Sequence, residues 1–125
     1  MENYLYNELT AQIIKAFYNV YNELGYGFLE KVYEKALVVE LKKMGLNVVT
    51  QQPIKVYYKG EIVGDFFADM VVENKVIVEL KSVKQLLPVH EAQLINYLKA
   101  TDMEVGLLFN FGDMPDIKRK IFRNF

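Results

Sequence analysis

Leu9, Ile13, Ala16, Phe17, Val20 and Leu24 recur at steps of three and four. That spacing predicts an amphipathic helix over roughly residues 5–24, stopped by Gly25-Tyr26-Gly27. A second helix follows at once, with Leu29, Val32, Tyr33, Ala36, Leu37, Leu41 and Met44 along one arc. It ends near residue 44, where Lys42 and Lys43 suit the last carbonyls and Gly45 suits a left-handed cap. From Val48 the period changes to two: Ile54, Val56 and Tyr58 alternate with Lys55 and Tyr57. Lys59-Gly60-Glu61 is a turn, and Ile62-Val63 and Phe66–Val72 continue as an antiparallel partner strand.

Lys75–Lys81 reads as a third strand, joined to the second by a very short loop. Pro88 suits the first turn of a helix that runs through His90–Ala100 to a last apolar run at Val105–Phe109. This is a β–α–β crossover, which places the last strand parallel to Lys75–Lys81. The tail Pro115–Phe125, with Lys118, Arg119, Lys120 and Arg123, is expected to form a short basic helix. The pattern as a whole predicts one α/β domain spanning residues 1–125, with no repeat or linker.

The register of the third strand decides the chemistry. A two-residue hairpin loop sets Asp69 opposite Val78 and Ala68 opposite Glu79, mixing charge and apolar groups on both faces. A three-residue loop, Glu73-Asn74-Lys75, pairs Val72 with Val76, Met70 with Val78 and Ala68 with Leu80 on one face. It sets Asp69 opposite Glu79 on the other, with Cβ atoms roughly 4.5–5.5 Å apart. Lys81 projects to that same face. Two carboxylates held so either share a proton, recruit a cation or lean apart into water; the plain reading is a solvated strand face with an ordinary ion pair. If a metal resolves the repulsion, hard oxygen donors favour Mg²⁺ or Mn²⁺ over zinc.

Composition narrows the choice. Fifteen Lys and Arg against sixteen Asp and Glu give a net charge of −1, so polyanion binding must be local. The chain has no cysteine, which excludes disulfides, thiolate metal sites and a cysteine nucleophile. No signal-like or membrane-spanning run is present, and the expected location is the cytoplasm.

Three polar features sit oddly for their elements. Glu30 falls inside the apolar arc of the second helix, between Leu37 and Leu41; it either seeks a partner there or occupies the N3 position behind a Gly27 N-cap. Glu40 lands in the arc too and snorkels from the helix end. Gln93 and Tyr97, an i,i+4 pair, share a face with His90; the stripe points at a ligand or is a satisfied helix–sheet contact. As a lone histidine, His90 is a poor metal-ligand candidate.

Gly27-Phe28-Leu29-Glu30-Lys31-Val32-Tyr33 reads G-x-x-E-x-x-Y, Ala68-Asp69 with Glu79-Leu80-Lys81 matches a D…E-x-K core, and Gln93 to Tyr97 reads Q-x-x-x-Y. In this order the chain resembles the GxxExxY family of the PD-(D/E)xK nuclease superfamily. The resemblance implies a restriction-endonuclease-like αβββαβ core with an extra N-terminal helix. It implies Mg²⁺ or Mn²⁺ held by Asp69, Glu79, Glu30 and the carbonyl of Leu80, and Lys81 positioning water or steadying negative charge. Gln93, Tyr97, Tyr33 and Lys84 would then serve the substrate. No proline precedes Asp69, and Phe67 stands where related sequences carry a basic residue.

The expected activity is metal-dependent phosphodiester hydrolysis, on DNA rather than RNA, with Lys55, Lys59 and the tail cations as further backbone contacts. A homodimer or accessory protein would enlarge that footprint. The competing expectation is a nuclease-like fold kept as an interaction module or a nucleic-acid binder without cleavage.

Overall fold

In the computed structural model, which describes residues 6–123, the two N-terminal helices are α1 (Asn7–Leu24) and α2 (Glu30–Lys43). They are followed by β1 (Val48–Tyr58), β2 (Glu61–Val72), β3 (Val76–Lys81), α3 (Pro88–Lys99), β4 (Val105–Asn110) and β5 (Asp116–Ile121). The strands form one sheet in the order β1-β2-β3-β4-β5. Every neighbouring pair is antiparallel except β3 and β4, which are parallel across the α3 crossover, as the apolar pattern requires.

The apolar arcs of α1 and α2 cover one face. Ile13, Phe17, Tyr33, Leu37 and Leu41 bury Met70, Val72, Val76, Val78, Leu80 and Phe109. On the other face Leu94, Tyr97 and Leu98 of α3 close over Ile54, Ala68, Val71, Ile77 and Leu108. Burial from both sides explains why β3 and β4 read as continuous apolar runs rather than alternating ones. Gly106 permits the close approach of α3, since a Cβ there would lie 2.6 Å from Leu94 Cδ1.

The tail departs from expectation: Asp116–Ile121 is an edge strand, not a helix, paired with β4 from Val105↔Ile121 to Asn110↔Asp116. Its residues also alternate. Ile117 and Ile121 pack against the α1/α2 core, while Lys120 on the opposite side pairs with Glu91 of α3. A six-residue segment gains little from helix formation, and the open edge of β4 supplies partners for the backbone groups on its inner side.

Glu30 is the first residue of α2 and Leu29 flanks it, so the Gly27 N-cap is not formed. Glu40 accepts a hydrogen bond from Asn19 Nδ2 at 2.9 Å and ties α2 to α1. The β2 face assignment also needs correction at one place. Met70 and Val72 face α1 and α2 as the register requires, whereas Ala68 packs beneath α3. The alternation of β2 therefore reverses at Asp69. Opposite it, Gln51 of β1 adopts φ 53, and the β1–β2 register runs through Thr50↔Met70 and Gln52↔Ala68 with no Gln51↔Asp69 pair.

Candidate active site

The β2–β3 turn has the three-residue loop. Lys75 N–H donates to Val72 C=O at 3.0 Å, Glu73 and Asn74 both take left-handed conformations, and Val72 faces Val76 while Met70 faces Val78. Asparagine tolerates that region; Glu73 is held there by its carboxylate, which accepts from Asn47 N–H at 2.6 Å.

Regular pairing between β2 and β3 stops at Met70↔Val78, and two side chains take over. Asp69 N–H donates to Glu79 Oε2 at 2.8 Å, and Leu80 N–H donates to Asp69 Oδ2 at 2.7 Å. Each carboxylate thus crosses to the backbone of the other strand. Because N–H and C=O of one strand residue point to the same edge, the Leu80 carbonyl is directed towards this pair as well.

The electrostatics are those of an under-compensated pair. Glu79 is only 4% exposed. Burial, then the charge of Asp69, push its carboxyl up to about 8, against the opposing pull of the Asp69 amide and Lys81. Burial also raises Asp69; the Leu80 amide opposes this, Glu34 and Glu30 add to it, and Lys81 again opposes it. Lys81 is therefore a cation whose charge acts on both acids. From α3, the Tyr97 hydroxyl borders the pair: burial raises its pKa first, then Glu79 and Asp69, while Gln93 Nε2 donates to it at 3.1 Å.

The structure thus gathers Asp69, Glu79, Lys81, the Leu80 backbone, Gln93 and Tyr97. Glu30, exposed on the first turn of α2, reaches the acids only through its field; among the described residues no three His, Asp or Glu side chains converge as a metal cage. Lys84 lines a separate cleft of about 460 Å³ with Phe28, Val83 and Phe111.

Tyr33 is not available to substrate. It is fully buried, donates to Gly25 C=O at 2.7 Å, accepts from Phe28 N–H at 3.2 Å and stacks on Phe111 at 4.3 Å. The Y of the motif therefore clamps the glycine loop. His90 Nδ1 accepts from Leu87 N–H at 3.0 Å, so it caps α3 rather than binding metal. Of the cations expected to grip a phosphate backbone, Lys55 pairs with Asp65, Lys120 with Glu91 and Arg123 with Glu104.

Two contributors escape sequence reasoning. Glu34, one turn after Glu30, is buried, pairs with Lys31 at 3.2 Å and accepts from Gln51 Nε2 at 3.1 Å. This bond holds β1 in its left-handed kink opposite Asp69. Buried Asn110 pins the segment after Lys81, donating to Val83 C=O at 2.9 Å and accepting from Val83 N–H at 3.0 Å. Glu34 lies in a mixed acidic and basic stretch that carries no periodic signal; the signal for Asn110 is a lone amide at the end of the Val105–Phe109 apolar run.

Gln51 offers a test of the kink. Gln51→Gly keeps the backbone free to adopt φ 53, whereas Gln51→Ala keeps a strained Cβ without the bond to Glu34. Thermal denaturation is expected to show Ala less stable than Gly by about 1 kcal/mol.

A three-layer α/β domain whose parallel crossover follows a D…E-x-K hairpin, acids and lysine on one side, is the arrangement of a nuclease-type domain. The chain belongs to the PD-(D/E)XK nuclease superfamily, whose family model matches residues 7–123. Its restriction-endonuclease-like fold also resembles the crystal structure of SSO0001, at a TM-score of 0.59 and 18% identity over 76% of this chain. This chain spans 52% of the length of that structure. No curated protein matches the sequence significantly.

Proposed function

We propose that the chain is a metal-dependent phosphodiesterase of the GxxExxY type acting on nucleic acid in the cytoplasm, DNA before RNA. The observation that carries this reading is the pair of half-buried Asp69 and buried Glu79, each acid bonded to the strand of the other, with Lys81 acting on both. The donor set fits Mg²⁺ or Mn²⁺: two hard carboxylates whose mutual repulsion a dication relieves, beside the Leu80 carbonyl, with remaining positions left to water and phosphate oxygen. When bound, such an ion polarises the phosphoryl oxygen and lowers the pKa of water. Lys81 Nζ steadies negative charge gathering on the phosphoryl group and orients the attacking water. Gln93 fixes the Tyr97 hydroxyl beside the acids, and Glu30 adds negative field at the metal end.

Calorimetric titration with Mn²⁺ is expected to show one site in the parent chain and none in Asp69→Ala. Cleavage of labelled DNA should fall by at least 10²-fold in Lys81→Ala with Mn²⁺ affinity nearly kept. Equal activity in Lys81→Ala overturns the assignment of that residue.

A second reading has its own support. Tyr57, Tyr58, Ile62 and Val63 at the far end of the β1–β2 hairpin are each more than half exposed, a surface suited to a second copy or an accessory protein. Sedimentation of the parent beside Ile62→Lys tests it: a dimer that becomes monomeric supports a self-association role for the hairpin.

A further inference from the structure

We propose that the groove between α3 and the β1–β2 hairpin seats one unstacked nucleobase, so that the substrate is single-stranded nucleic acid. This rests on the hydrolase reading above and extends it to substrate class. The groove holds about 700 Å³, and Tyr97 forms one of its walls. Tyr97 packs in one buried cluster with Ala68, the residue before Asp69, and Ile77, two residues before Glu79, so groove and acid pair are neighbours across that cluster. A strand whose phosphate lies at the acids must place a neighbouring nucleoside close by, and this groove lies next to them.

Its lining suits a base. Phe66 lines the groove and is 43% exposed, with its ring 5.8 Å from that of Tyr97 and tilted by 42°. Asn96 brings an exposed side-chain amide, a donor and acceptor for a base edge. Lys55 and Lys99 stand in the lining as phosphate partners. The ion pair of Lys55 with Asp65 is solvent-exposed and easily exchanged for a phosphate. Stacking on an aromatic ring beside cations is the usual way of holding single strands without sequence preference. A duplex keeps its bases paired and stacked, and offers none to such a groove unless one is extruded.

The test uses the full chain in EDTA, and Asp69→Asn with Mg²⁺, titrated by fluorescence anisotropy with a labelled single-stranded DNA 12-mer, its RNA counterpart, a blunt duplex and an abasic 12-mer. Single strands are expected to bind at least tenfold tighter than the duplex. Phe66→Ala should weaken single-strand binding roughly tenfold, Phe66→Trp should keep it, and Phe66→Leu should not restore it, since area alone gives no stacking. The abasic strand should not distinguish Phe66→Ala from the parent. Duplex binding as tight as single-strand binding, no binding of any oligonucleotide, or a Phe66→Ala affinity within twofold of the parent overturns the proposal. So does a loss of self-association in Phe66→Ala with affinity unchanged. Single-strand binding through Phe66 without cleavage in Mg²⁺ or Mn²⁺ leaves the base seat standing and removes the hydrolase reading. Cleavage without a Phe66 effect does the reverse.

Discussion

Glu79→Gln is expected to make the protein more stable at pH 8 and, on the proposed reading, to abolish Mn²⁺ binding. The native carboxyl is buried against Asp69 and its pKa stands at about 8, against an ordinary 4.5. Glutamine keeps an oxygen to accept the Asp69 N–H and brings an N–H₂ group that Asp69 accepts, so a repulsion becomes a hydrogen bond. With Lys81 and solvent screening part of the repulsion, the gain in urea denaturation at pH 8 should be on the order of 2 kcal/mol. A variant less stable than the parent at pH 8 would show that the acids are compensated already.

The pH dependence has a definite sign. Because the folded pKa lies above the unfolded one, the folded state of the metal-free protein holds more protons between about pH 4.5 and 8. Its stability therefore falls as pH rises through that window and levels off above it. Asp69 shifts in the same direction. The advantage of Glu79→Gln should shrink towards pH 5, where the parent also carries a neutral side chain. On the proposed reading, millimolar Mg²⁺ stabilises the parent at pH 8 and leaves the variant unmoved. On that same reading, folding stability is given up for a site that a dication would complete.

What the sequence made legible follows from where a period is enforced by burial. The α1 stripe, the β2–β3 register and the parallel crossover all came from apolar positions that a slip by one residue would have turned to the wrong face. The same logic put Asp69, Glu79 and Lys81 together. It failed where one residue breaks the alternation: Ala68 lies beneath α3, because β1 kinks at Gln51 and β2 reverses its faces at Asp69. That kink depends on a bond from Glu34, thirty-five positions before Asp69 in sequence, which no local pattern reveals. Tyr33 fits its motif yet serves the glycine loop, since a motif letter fixes a residue type and not the direction in which its hydroxyl points. The tail departs from expectation because the alternation of Ile117 and Ile121 with Lys118 and Lys120 is outweighed by its basic content, and because only the folded sheet offers it an edge.

Gly112→Ala is expected to be the most damaging single-methyl change near the site. A Cβ there would lie 2.2 Å from the carbonyl oxygen of Val83 and 3.1 Å from Asn110 Nδ2. Neither neighbour can give way cheaply. Val83 is held through both its N–H and its C=O by the Asn110 amide, Phe111 N–H donates to Lys81 C=O at 2.8 Å, and Tyr21 Oη donates to the Gly112 carbonyl at 2.8 Å. Relieving the clash means moving the chain that follows Lys81, or breaking the Asn110 bonds and leaving the part-buried backbone groups of Val83 unpaired. The expected loss is about 3 kcal/mol, read by urea denaturation. Asn110→Ala should cost about 2 kcal/mol by the second route alone. Because both changes act on the same Val83 segment, the double variant should lose markedly less than the sum of the two, which a double-mutant cycle measures directly. A strictly additive cycle would mean that Gly112 and Asn110 support different parts of the fold, and that the lysine is not held in place through this knot.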